Sequence, residues 1–292
     1  IKGGTIEQGS WNTNFGNAGS PMTMQGGTIR MLDVNSSSTV PDLYHKFNIV
    51  GGTKNTIIGS SRSKIRGSVE GSGTLTVRTL YVRNDIYLSF IHFTGTLHAE
   101  STGGNFRLMS NVTDMKQATM NVGASTMVGH YAAGGNSLEA ITTHIGHLTS
   151  ADATATLGTG TDSYAIGYLN KDISFSGAYK AATITKHGKG TLRSENADNT
   201  SSFVINEGTL APGSVSKLGT FATTGSLTAN KGTRLLCRVY MTGSDQFRIG
   251  GNVTLNADTL VLQISTARTL KVGDEVTVFT GFKTLKHTGQ VI

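Results

Sequence analysis

Apolar and polar residues alternate in short runs along most of the chain, and glycine bounds the runs. The clearest stretch is residues 183–212, TITKHGKGTLRSENADNTSSFVINEGTLAP, where the phrase Gly190-Thr191-Leu192 returns as Gly208-Thr209-Leu210 after 18 residues. Side chains of a strand point alternately to its two faces, so each phrase predicts a half-buried strand with Leu192 or Leu210 inward and Thr191 or Thr209 outward. The glycine marks a tight bend. A phrase that returns at this interval predicts a coil that has gone once around, with Leu192 and Leu210 as stacked neighbours.

The phrase recurs as Gly4-Thr5-Ile6, Gly27-Thr28-Ile29, Gly73-Thr74-Leu75, Gly95-Thr96-Leu97 and Gly219-Thr220-Phe221, with intervals of 23 from Gly4 to Gly27 and 22 from Gly73 to Gly95. Periods in this range belong to solenoids, whose units bury their apolar faces only by stacking on one another. Long segments rich in Ala, Leu, Glu and Lys, which a helical repeat needs, are missing. So are the Asn-Gly hairpin turns of antiparallel sandwiches. The expected fold is all-β, a single-stranded right-handed parallel β-helix. At about 22 residues per turn the chain would make about 13 turns, a rod of roughly 60 Å at the usual strand spacing.

One continuous domain over 1–292 is expected, with three textures. Residues 1–72 look irregular and carry the polar insert Asn35-Ser36-Ser37-Ser38-Thr39-Val40-Pro41-Asp42; 73–180 hold most of the aromatic and His residues and the longer loops. Residues 181–292 look most regular, with Thr259–Ile264 and Glu275–Phe279 reading as strands.

Composition agrees: 38 Gly, 3 Pro and 15% charged residues describe a β-rich chain with many corners, and 37% hydrophobic content is too much for disorder. The single Cys237 allows no disulfide framework and no cysteine metal site, and its strand-like surroundings make it a small buried apolar group. A net charge of +7 points toward an anionic partner. The densest basic group, Lys54, Arg62, Lys64, Arg66, Arg78 and Arg83, is interleaved with Ser and Gly and reads better as a solvated outer face than as a glycan groove, and nucleic acid is not expected. No apolar run is long enough to span a bilayer. The start at Ile1 and the stop at Ile292, in what reads as mid-strand, suggest part of a longer chain.

The run Thr185-Lys186-His187-Gly188-Lys189-Gly190-Thr191-Leu192, the corner at Asn196 and Asn199, and Val204-Ile205-Asn206-Glu207-Gly208-Thr209-Leu210 resemble the autotransporter-associated β-strand repeat. Ile145–Leu148, Ala155–Gly158, Tyr164–Asn170 and Phe175–Gly177 look like the segment preceding that repeat in large secreted proteins of Bacteroides-type bacteria, and Leu270–Phe279 is similar to their closing rung. Asn199-Thr200-Ser201-Ser202 departs from the usual Thr-Tyr-Thr-Gly corner. The likeness covers about residues 60–292 and implies a β-helix that is secreted or displayed at the cell surface, in some relatives behind a pectate-lyase-like domain.

Candidate chemistry is sparse. Glycan-cleaving β-helices need carboxylates gathered on one face, for hydrolysis or as a calcium cradle for elimination. Asp274 and Glu275 are adjacent and point oppositely; Glu195 and Asp198 flank a loop and read as a solvated corner before a cation site; Asp85 reads as a surface ion pair with Arg83. His144 and His147, three apart on a strand, would face opposite ways, and His92 and His98 are no better placed for a metal. Gly103-Gly104 reads as a corner, with no helix after it to make a phosphate cradle. Tyr81, Tyr87, Tyr131, Tyr164, Tyr168, Tyr179 and Trp11 are either an outward platform for sugar rings or, more commonly in such folds, stacked core.

No residue is assigned a catalytic, cofactor or metal role, and no cofactor is expected. The leading expectation is a non-catalytic extracellular or surface-displayed stalk or adhesin-like module that contacts polysaccharide or a surface protein. The alternative is a polysaccharide lyase or hydrolase with a site in 73–180, the only reading in which calcium enters. A trimeric tail-spike-like β-helix is a third.

Overall fold

A computed structural model describes residues 1–8, 19–32, 40–60, 62–133, 135–240, 243–256, 260–264 and 275–287. Trp11, the 35–39 part of the polar insert and Asp274 lie outside them. The described chain is all β, a solenoid of parallel strands making about 10 turns, and contains no helix long and apolar enough to cross a membrane. Leu192 pairs in parallel with Leu210, Thr191 with Thr209, and both leucines are fully buried. All seven Gly-Thr-apolar phrases open a strand, with Thr as its first residue.

The glycine of the phrase has a more specific cause than a bend. A Cβ on Gly73 would lie 2.2 Å from the carbonyl oxygen of Val50, and one on Gly95 would lie 2.0 Å from that of Gly73. On Gly190 it would lie 2.1 Å from the carbonyl oxygen of Lys171. Each glycine lets its rung settle onto the backbone below it, and φ is positive only at Gly208 among the four glycines that open at 73, 95, 190 and 208.

One sheet has nineteen strands and a second has eight, from Pro21–Met24 to Ala178–Tyr179; a third has three, Thr220–Thr223, Gln246–Ile249 and Phe279–Thr280. Thr200 N donating to Tyr179 O and Thr224 N donating to Asn199 O carry the chain pairing from the second sheet toward the third. The interior is one cluster of buried side chains from Met24 to Leu255, with an aromatic stack, Phe175, Tyr179, Phe203, Phe221, Phe247 and Phe279, at successive centroid distances of 4.8, 5.4, 4.9, 6.1 and 5.2 Å. One antiparallel strand pair occurs among the described residues, Arg234–Tyr240 with Gly243–Ser244.

The nineteen-stranded sheet carries an unbroken outward column at one side chain per rung: Thr5, Thr28, Thr56, Thr76, His98, Asn121, Thr149, Ser174 and Arg193. At Thr142–Ser150 this sheet forks. The first half of that strand pairs with Ser163–Ile166 and its end with Ile173–Phe175, so a corner at 167–172, with φ positive at Gly167 and Asn170, now divides each rung.

Three expectations need correction. The solenoid makes about 10 turns, not about 13, because rungs are not uniform: 18 residues separate Leu192 from Leu210, 28 separate Thr28 from Thr56, and 32 separate Val253 from Leu285. The rungs at 42–49 and 64–71 are regular rather than irregular, since Asp42–Ile49 pairs without a break from Asp42 with Lys64 to Ile49 with Gly71. Glu275–Phe279 keeps its alternation of exposure, but only Phe279–Thr280 is a strand, paired to Phe247 and Arg248. Alternation encodes which face a side chain takes, whereas pairing also needs a neighbour in reach.

Candidate functional site

The fork gathers chemistry on the outer face of the long sheet. The register between Asp114–Val122 and Thr142–Ser150 slips between Met115 and Thr119, and Ile145 and Gly146 are consecutively buried. This bulge resets the alternation, so His144 and His147 are both half-buried on the outer side rather than on opposite faces. His147 Nε2 meets Asp172 O at 2.9 Å, and His144 Nδ1 meets the Tyr168 hydroxyl at 2.8 Å.

Tyr168, lifted by the corner at 167–172, is the centre of a stack. Its ring lies 4.7 Å from that of His187 at 15°, and 5.7 Å from that of His144. Lys116 Nζ sits 5.5 Å from the Tyr168 ring centre and 3.5 Å from an Asp114 carboxylate oxygen. Burial, reinforced by Lys116, pushes the His144 imidazole below its ordinary value, and burial does the same to His187 against the pull of Glu207. At neutral pH the imidazoles are therefore uncharged rings, and the stack is an aromatic cluster with one ammonium over its Tyr168 ring.

Beyond Asp172 lies a groove of about 310 Å³ lined by Asp172, Ser174, Ser176, Arg193, Glu195 and the 213–216 loop. Arg193 and Glu195, two residues apart, both face outward into it. Arg193 is half-buried and makes one long hydrogen bond, Nη1 to Pro212 O at 3.5 Å, and no ion pair among the described residues. The loop wall is held from behind: Arg238 Nη groups donate to Pro212 O, Val215 O and Lys217 O, while Arg238 Nε donates to the fully buried Asp245 at 2.7 Å. Cys237 is buried beside it and donates to Asp245 O, and burial pushes its thiol up to about 12.

The other candidates are placed as follows. Tyr131, Tyr164 and Tyr179 are core; Tyr81 is exposed and Tyr87 half-buried, away from the Tyr168 stack in sequence and on the side of the second sheet. Asp85 is not a surface group: it is buried and accepts from Arg107 Nε at 2.7 Å, one rung on, with the Arg107 guanidinium 4.3 Å from the Tyr131 ring centre. Asp198 is exposed on the corner where Asn199, fully enclosed, accepts from Tyr179 N and donates to Ser194, Asn196 and Ala222. His92 and His98 are on different sheets. Of the basic group, Arg66 pairs with Asp42 and Arg78 with Glu100 at 2.8 Å. Gly103 and Gly104 form a corner before Asn105–Leu108.

Arg193, His187 and Lys186 were not singled out by sequence reasoning. Lys186 is fully buried in an apolar column between Ile166 and Ile205, and its Nζ donates to His187 O, Gly188 O and Glu207 O, closing the corner beneath His187. Its parity with Ile184 was the available signal. A scan against models of known protein families finds no match, and a search of curated proteins finds no relative.

Proposed function

We propose that this β-helix is a non-catalytic module, secreted or displayed at the cell surface, whose long sheet contacts glycans on its outer face. The observation that carries the reading is the half-buried Tyr168 ring, stacked on neutral His187 and tilted against neutral His144, beside an open groove. Flat rings with polar edges suit the CH faces and hydroxyls of a sugar, and a solenoid offers them on a rigid, linear support. The likeness of residues 185–210 to the autotransporter-associated repeat supports the surface setting.

The carboxylates nearby are largely committed to structure. Asp172 Oδ1 accepts from Thr191 N at 2.7 Å, Glu207 accepts from Gly188 N at 3.0 Å, and Asp114 faces Lys116. Glu195 alone lines the groove without such a partner among the described residues, which favours binding over two-carboxylate hydrolysis. A second reading, cleavage by elimination or hydrolysis on the same face, draws on the hydrogen bond between His144 and Tyr168, an imidazole and a phenol positioned to share a proton.

A panel of immobilised polysaccharides, read for both binding and release of reducing or unsaturated ends, separates the two. Binding without turnover, weakened about three- to tenfold by Tyr168→Ala, is the expected result. Turnover would establish the second reading, and binding indifferent to Tyr168 would remove the platform from the first.

A further inference from the structure

We propose that the groove beside Arg193 is a subsite for one oxyanion substituent of an acidic glycan, a carboxylate or a sulfate. This rests on the glycan-contacting reading above and adds the chemistry of the chain that is contacted.

Arg193 closes the outward column that begins at Thr5, and it is the first cation in that column. Its guanidinium has five N–H donors in a planar fork, and the protein uses one of them, weakly, at 3.5 Å. A half-buried cation with unused donors, facing a groove rather than open solvent, is an arrangement that an oxyanion completes with two parallel charge-assisted hydrogen bonds. The two fully buried arginines show what a structural guanidinium looks like in this molecule. Arg107 has Asp85, Gly135 O and Asn136, and Arg238 has Asp245 and three carbonyls. Arg193 has no such set.

The surroundings extend the argument from an anion to an acidic sugar. Ser174 and Ser176 lie on one side of the fork and Ser214 and Ser216 on the other, offering neutral hydroxyl partners. Glu195, one residue past the end of the strand that carries Arg193, lines the same groove and repels a bare anion, but accepts hydroxyl hydrogens from a sugar whose acid group sits on Arg193. Together they select a ligand that carries negative charge and hydroxyls a few ångströms apart. The wall is preorganised, because Arg238 and Asp245 fix residues 212–217 before any ligand arrives. A volume of about 310 Å³ is at the small end for a ligand pocket and suits one sugar unit of a longer chain.

The test has two arms. In the first, the Arg193 side-chain Nε–H resonance, assigned by its loss in Arg193→Lys, is followed by NMR during titration with galacturonate, galactose 6-sulfate and galactose. A saturable shift with either acidic sugar and none with galactose supports the subsite, and which acid acts identifies the substituent. No response to either acid overturns it. In the second, affinities of wild type, Arg193→Gln and Arg193→Lys are measured for oligogalacturonate, a sulfated galactan oligomer and a neutral galactan oligomer, with thermal melts confirming folding. Arg193→Gln is expected to lose about tenfold or more on an acidic chain and nothing on the neutral one, with Arg193→Lys in between. Equal binding of all three proteins to the acidic chains overturns the subsite. If no chain binds but Arg193 still answers a free acidic sugar, the anion site stands and the glycan-module reading falls; if the neutral chain binds well and Arg193 is silent, the reverse holds.

Discussion

Acid should destabilise this protein through His130. Its ring is fully buried, with Nε2 2.5 Å from the Thr143 hydroxyl, which itself donates to Val112 O at 2.9 Å. The hydroxyl hydrogen is spent on Val112, so Thr143 accepts and His130 is the neutral tautomer with its proton on Nε2. Protonation would place a second proton on Nδ1, which has no hydrogen-bond partner among the described residues. Burial therefore lowers the imidazole to about 4, against the opposing pull of the Asp162 carboxylate, whose Oδ2 accepts from His130 N. In the unfolded chain the same ring titrates near its ordinary value of 6.5. As pH falls below 6.5 the unfolded state takes up a proton that the native state refuses, and stability drops until the native ring also protonates. Between pH 6.5 and 4 the loss amounts to about 3 kcal/mol. Two measurements check it. The native His130 resonance should show Nδ1 unprotonated and no titration above pH 5, and the stability difference between wild type and His130→Gln in urea should shrink by about 3 kcal/mol from pH 7 to pH 4. A ring that titrates near 6.5, or a difference independent of pH, would refute the reasoning.

Two further substitutions probe the interior. The Tyr179 hydroxyl is buried in the aromatic stack with no hydrogen-bond partner among the described residues, so Tyr179→Phe should leave stability unchanged or raise it by about 1 kcal/mol in urea denaturation; a loss of that size would mean the hydroxyl is bonded. Gly95→Ala would force a methyl to 2.0 Å from Gly73 O, and separating those two rungs should cost about 1–3 kcal/mol with a matching fall in melting temperature, whereas an unchanged melt would mean the rungs are less tightly seated.

The architecture was legible because a solenoid writes its register into the sequence twice, in alternation and in the recurring glycine. Gly190 and Gly208 mark one rung by their close approach to backbone carbonyls, and Leu192 and Leu210 mark its interior. The turn count was not legible, since insertions such as the one between Thr28 and Thr56 leave the strand pattern intact while lengthening the rung. The site was harder for three physical reasons. The bulge at His144 and His147 breaks a parity rule by one buried glycine, Gly146. Lys186 follows the parity of Ile184 and points inward, but its charge argues for the outside until the three carbonyls at the corner are seen. Arg193 becomes part of a groove only through a wall pinned by Arg238 and Asp245, contacts of long sequence separation that no local pattern carries. Asp85 with Arg107 is an intermediate case, one rung apart and readable only once the register is known.

Everything about the outer face depends on the column from Thr5 to Arg193 being a straight stack of rungs, and distances between spin labels along it measure that directly. Thr28 and Thr149 are five rungs apart, as are Thr56 and Ser174, through Thr56, Thr76, His98, Asn121 and Thr149. At the usual strand spacing both pairs should read about 24 Å between backbones, and Thr28 with Ser174, one rung more, about 29 Å. Cysteines at these outward positions can be labelled while Cys237 stays buried. Equal distances for the two five-rung pairs and one added strand spacing for the third are the predicted result; unequal five-rung distances, or a third distance shorter than either, would contradict the stacked solenoid and the face built on it.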